Sequence, residues 1–334
     1  SVMVAANLVL VSCSTSRSCC DAERPSKVLS EEALGFQNRF VFPEETAPDR
    51  LPLVRSRLNQ ASKDRLPIVL LHEITGLDAG ILRLAEEIER RGQFKVIMPI
   101  MFGPDHGVSE NEFYVMAGRT AEWKLQKGSR PIFELLRREI RQVAAENPGK
   151  PIGVIGMCFT GSVALAMLSE PEVRATVSSQ PVLPMFAPVL MPLDQTFCTL
   201  GIPGSDLEHA VERVKNGTAA PPVAMRFETD PLSPKRHLQV LRREFGDEVL
   251  FDWTISRKDE YFDRNHDRIV PGLVPNPPHS ILNGNLVLRS GSSEQPLHPT
   301  EKRLDAVVAY FTHYLERHPG LDPPRFQAPE FSSH

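Results

Sequence analysis

The chain is expected to be an α/β protein, with one mostly parallel sheet and helices on both faces. Three features predict it. Short, continuous apolar runs such as Pro67-Ile-Val-Leu-Leu-His72 suit strands buried on both sides of a parallel sheet. Segments with apolar residues at helical spacing separate those runs, and strand alternating with helix is the pattern of a sheet wrapped by crossover helices. Lastly, Val154-Ile-Gly156-Met-Cys158-Phe-Thr-Gly161-Ser-Val-Ala-Leu165 passes from an apolar strand into a small-residue helix around a cysteine.

Taken in order, residues 37–42 and 52–58 are expected as short strands ahead of the run at 67–72. The helix over 78–91 places Ile81, Leu84, Ala85 and Ile88 on one face and is expected to stop at Gly92. Strand 94–99, a loop rich in Pro and Gly, helix 131–146, strand 152–157, helix 159–169 and strand 174–179 follow. Residues 222–227 and 249–255 are expected as strands flanking helix 234–245, and helix 300–317 closes the body. Arg137, Arg138, Arg141, Arg242 and Arg243 fall on these helices and are expected on solvated faces. One domain, 37–318, accounts for the alternation. Residues 1–36 are expected as an N-terminal extension, and 319–334 as a Pro-rich tail that lies on the surface or frays. Segments 181–221 and 257–299 are long. In the first, Pro181, Pro184, Pro188 and Pro192 interleave with Met185, Phe186, Leu190 and Met191, as in an apolar lid or pocket wall, or equally in core packing.

Composition narrows the function. With 334 residues, 41% of them hydrophobic, the chain has material for a large core. Against 42 Asp and Glu stand 38 Lys and Arg, a formal charge of -4, so no nucleic-acid partner is expected. The apolar run 2–11 is about half of the roughly 20 residues a membrane span needs. Leu10-Val-Ser-Cys13 is similar to a lipoprotein cleavage box, so an exported or lipid-anchored form stands beside the simpler expectation of a flexible leader. Five cysteines are too few for a disulfide scaffold, and a free Cys158 points to a reducing, cytoplasmic setting. No nucleotide-binding glycine pattern and no metal-ligand spacing occurs: His72-Glu73 lacks a second histidine at helical spacing. Neither cofactor nor metal is expected.

Cys158 is the candidate nucleophile. Its surroundings approximate a Gly-x-Cys-x-Gly turn, with Gly161 one place beyond the second glycine of that spacing. Such a turn lifts the sulfur above the edge of the sheet, at a helix N-terminus whose free N–H groups favour the thiolate, and the amide of Phe159 is placed to hold an oxyanion. A nucleophile needs a base, and the base an orienting acid, from loops after later strands. Asp230, in Glu228-Thr-Asp230-Pro-Leu-Ser-Pro, is the better-placed acid, with Glu228 a nearby substitute. His279, in Pro275-Asn-Pro-Pro-His279-Ser, stands where the order nucleophile, acid, histidine requires it. His266 and His298 are its rivals, although His298 precedes Pro299 at a helix start, where capping is more natural.

With these residues, together with Leu71-His72-Glu73-Ile74-Thr75-Gly76-Leu77, the sequence over roughly 37–317 resembles the dienelactone hydrolase family of the α/β-hydrolase superfamily. The resemblance implies an α/β-hydrolase fold, a Cys158–His279–Asp230 triad, and Glu73 as the group that takes the thiol proton when substrate binds. It also implies the backbone amide of Ile74 as a second oxyanion donor beside Phe159. The family's dienelactone-cleaving members hold the substrate carboxylate with two arginines. The corresponding places fall near Phe102-Gly103 and at Asn283, so a different ester or lactone is expected as the small-molecule substrate. Two other functions fit parts of the pattern. One is a class I amidotransferase or cysteine peptidase-like enzyme, to which Glu73-Ile-Thr-Gly is poorly suited. The other is a noncatalytic binding or sensing module of the same fold, which follows if Glu73 or His279 lies far from Cys158.

Overall fold

The computed structural model describes residues 39–43, 50–57, 64–73, 76–101, 131–182, 201–246, 250–258, 279–284, 286–288, 297–316 and 326–327. Their strands are β1 (Phe40–Val41), β2 (Leu53–Ser56), β3 (Pro67–Leu70), β4 (Lys95–Pro99), β5 (Ile152–Met157), β6 (Val173–Ser179), β7 (Val223–Met225) and β8 (Phe251–Asp252). They form one sheet in the order β1-β2-β4-β3-β5-β6-β7-β8. β1, β2 and β4 pair antiparallel, and every pairing from β4 through β8 is parallel. The sheet is thus mostly parallel with an antiparallel edge, and central strand β5 ends at Cys158.

The helices are α1 (Ala79–Gly92), α2 (Pro131–Glu146), α3 (Gly161–Ala166), α4 (Gly204–Lys215), α5 (Lys235–Phe245) and α6 (Pro299–Leu315). The two-residue period of β3 divides the core: Ile68 and Leu70 join α1 and α6, while Val69 and Leu71 join α2 and α3. Each fully buried side chain of this size contributes about 1.5–3 kcal/mol by leaving water. Among the described residues no helix is long and apolar enough to cross a membrane.

Several sequence expectations change. Gly92 does not stop α1; it is the last residue of the helix, and Gln93 caps it with a left-handed φ of 55°. A Cβ on Gly92 would overlap the Phe94 ring, so the glycine serves packing. The helix expected over 159–169 is α3 flanked by two tight turns, Cys158–Thr160 and Met167–Ser169. Strands 222–227 and 249–255 are shorter than expected, extended only by a bridge between Phe227 and Ile255. Within the segment expected as a lid or pocket wall, Gly204–Lys215 forms α4, whose Ala210 and Val214 are buried. The apolar stretch 183–200 lies outside the described residues. Arg137 is not solvated: it is buried and ion-paired with Glu134, Glu170 and Asp206. Phe326 is buried against Phe251 and Tyr310, with ring centroids 6.0 Å from each.

Candidate active site

Cys158 follows β5 directly and adopts φ 55°, in the left-handed region. For a residue other than glycine this costs roughly 1–3 kcal/mol, which the surroundings must hold in place. Thr160 holds it: its Oγ1 accepts the Met157 N–H at 2.9 Å and lies 3.3 Å from the His72 carbonyl oxygen, tying the turn to the end of β3. The strain therefore belongs to Cys158 itself, and the two glycines serve close approach. A Cβ on Gly156 would overlap the Thr160 carbonyl oxygen and lie 2.7 Å from Ala164 Cβ. One on Gly161 would lie 2.8 Å from Ser178 Oγ and 3.0 Å from Pro181 Cα. Cys158 is a free thiol.

Asp230 and His279 are brought together. His279 Nδ1 bonds Asp230 Oδ2 at 2.6 Å, so with Asp230 ionised that nitrogen carries the proton and Nε2 is left for other work. Asp230 sits in a tight loop after β7, where its Oδ1 accepts the N–H groups of Leu232 at 2.9 Å and Ser233 at 3.2 Å. The buried guanidinium of Arg226 braces that loop, donating to the carbonyls of Ser233, Glu228 and Asp230. Glu228 is engaged elsewhere, accepting the Arg257 N–H at 2.7 Å. His298 caps α6, its side chain accepting the Thr300 N–H at 3.3 Å. His266 and Ile74 lie outside the described residues.

Glu73 is buried just beyond the end of β3. Its carboxylate accepts from Gln180 Nε2 at 2.6 Å, from Ser280 Oγ at 2.7 and 2.8 Å, and from Asn283 Nδ2 at 3.2 Å. These bonds go to neutral donors and not to Cys158. Asn283, at the place of a family arginine, thus binds Glu73, and its Nδ2 also lies 3.3 Å from Asp78 Oδ2. The backbone of Glu73 is fixed from behind by His72. Its Nε2 accepts the Met101 N–H at 3.0 Å, which forces the proton onto Nδ1, the donor to the Glu73 carbonyl at 2.8 Å.

A sequence model of the dienelactone hydrolase family matches residues 55–245, more than half of the chain. The chain belongs to the dienelactone hydrolase family. No curated protein matches it. Among solved structures its fold is similar to that of a Klebsiella pneumoniae protein assigned as a dienelactone hydrolase, at 15% identity, covering 65% of this chain and 85% of that chain with a TM-score of 0.46. It is also similar to a Thermus thermophilus protein, at 18% identity, 66% and 90% coverage and a TM-score of 0.43. The same holds for a Pyrococcus furiosus esterase, at 16% identity, 72% and 93% coverage and a TM-score of 0.43. Likenesses at this level say nothing about chemistry.

In this dienelactone hydrolase family member the burial of the site decides its electrostatics. Burial pushes the Cys158 thiol up; the charge and hydrogen bond of His279 and the Phe159 amide pull it down without cancelling that rise. For His279, burial opposes the imidazolium, but the charge of Cys158 and the bond to Asp230 outweigh it and raise its pKa. Burial likewise raises Glu73, against the charge of His279 and the Ser280 hydroxyl. His72 is pushed down to about 4, chiefly by burial. The sequence drew attention to Cys158, Asp230, His279, Glu73 and Phe159. It missed Gln180, and it named Ser280 and Asn283 without a role. A backbone signal marks two of them: Gln180 and Ser280 hold φ 34° and 50°, two of the four positive values outside glycine among the described residues.

Proposed function

We propose that the protein hydrolyses a carboxylic ester or lactone through a thioester on Cys158. The single observation that carries this is the convergence of a strained cysteine, a histidine acting on it by charge and hydrogen bond, and an acid 2.6 Å from that histidine. His279 accepts the thiol proton while sulfur attacks the carbonyl carbon. The oxyanion that forms is stabilised by the Phe159 amide. The C–O bond then breaks and His279 returns the proton to the departing alkoxide, leaving a thioester. Water, losing a proton to His279, attacks that thioester. The acid is released and the proton goes back to sulfur. Asp230 holds the imidazole in the tautomer this cycle needs, and Glu73 lends the imidazolium a buried negative charge. Family likeness gives the thiol proton to Glu73 instead. Because the Glu73 hydrogen bonds go to three other side chains, transfer to His279 is the route the geometry favours. The site needs no cofactor for these steps.

The test is a panel of short-chain esters and lactones assayed with wild type, Cys158→Ala and Cys158→Ser. Alanine is expected to lower kcat by 10³-fold or more, with partial activity in serine. Equal activity in all three would remove the covalent mechanism.

A further inference from the structure

We propose that Gln180 is a positioning residue, whose side-chain amide holds Glu73 in its ionised, acceptor-only form beside His279. The argument starts from which end of the amide faces which group. Gln180 stands at the end of β6 with φ 34°, its own N–H donating to the Met225 carbonyl at 2.6 Å. Its Oε1 accepts the Ile281 N–H at 3.2 Å and a hydrogen bond from the Ser179 hydroxyl. A backbone N–H can only donate, so the oxygen of the amide must face Ile281 and the NH₂ must face Glu73, 2.6 Å from Oε1.

Ser280 adds a second contact. Its Oγ accepts the Gly284 N–H at 2.8 Å and donates its one hydrogen to the Glu73 carboxylate. Both carboxylate oxygens also receive an amide hydrogen, Oε1 from Gln180 and Oε2 from Asn283, which favours the ionised form. Gln180 is the member of this set that reaches three parts of the chain at once: the end of β3 through Glu73, the end of β7 through Met225, and the histidine loop through Ile281. The charged groups bearing on Glu73 are His279, which favours the carboxylate, and Asp78, which opposes it; Cys158 is a further titratable group at the site. With neutral donors in place of a guanidinium, the hydrogen bonds must do what an ion pair would otherwise do.

The inference rests on the hydrolytic reading only for its kinetic arm. In the first arm, protein labelled with ¹³C at glutamate side-chain carboxyls is titrated by NMR, and the Glu73 signal is the one missing in Glu73→Gln. Gln180→Met is expected to raise the midpoint of that signal by about one pH unit, and Gln180→Glu, which keeps the Ile281 contact but adds a second carboxyl, by more. In the second arm, kcat/KM is expected to fall about tenfold in Gln180→Met, with no further loss when that change is made in Glu73→Gln. A midpoint unmoved in a folded Gln180→Glu, or losses that multiply in the double variant, would overturn the role of Gln180. Neither result bears on Cys158, whose reading fails only if Cys158→Ala stays active. If Gln180→Met does not fold, the closely isosteric Gln180→Glu carries the first arm alone.

Discussion

Asp230 and Glu73 are two buried carboxylates within one site, and they are held by opposite means. Asp230 is gripped locally: two backbone N–H groups two and three residues on, and an imidazole at 2.6 Å. Glu73 is gripped at long range, by side chains 107, 207 and 210 residues away, all of them neutral. The first arrangement fixes an orientation, because a short loop braced by Arg226 cannot rotate without losing several bonds. The second fixes a charge state, because donors converge on the carboxylate from separate loops. In the proposed mechanism one acid directs the histidine and the other sets the field in which it works.

That contrast can be broken by removing each charge in turn. Asp230→Asn is expected to lower kcat on the order of 10³- to 10⁴-fold, because the amide no longer demands the correct imidazole tautomer. The imidazole must be neutral to take a proton, so kcat/KM falls as the pH drops through the raised pKa of His279, above the ordinary histidine value. Loss of Asp230 moves this acid limb down, which a pH–rate profile reads directly. Glu73→Gln is expected to cost only about ten- to a hundredfold in kcat, with KM little changed, since the field weakens and the orientation survives. If the two variants lose activity equally, the division of labour is wrong.

A smaller effect sharpens the comparison through stability. His72, behind Glu73, has a folded pKa of about 4 against 6.5 for the ordinary group. Between those values the unfolded chain binds more protons than the folded one, so stability rises with pH across the window. The contribution is fully present above pH 6.5 and is lost as the pH falls toward 4, on the order of 3 kcal/mol in all. Urea denaturation at a series of pH values is expected to show this slope in wild type and a flatter one in His72→Gln. An unchanged slope would place the titration elsewhere.

The difference between the two carboxylates also explains what could be read from the chain in advance. Asp230 sits in a short loop between a strand and a helix, and Cys158 between two glycines at a similar junction; both are local patterns. The alternation of elements is local too, and the sheet came out as expected. Gln180, Ser280 and Asn283 have no such signature, because their partner is distant in the chain and the backbone twist that delivers two of them is invisible in residue type.

Phe326 has a practical bearing on how the protein is handled. Its ring completes an aromatic cluster with Trp253, Tyr310 and Tyr314, and β8, the last strand of the sheet, contributes Phe251 to the same cluster. A version truncated at residue 320 would leave those rings facing water next to a sheet margin, an invitation to self-association. Expression boundaries are best drawn beyond residue 327.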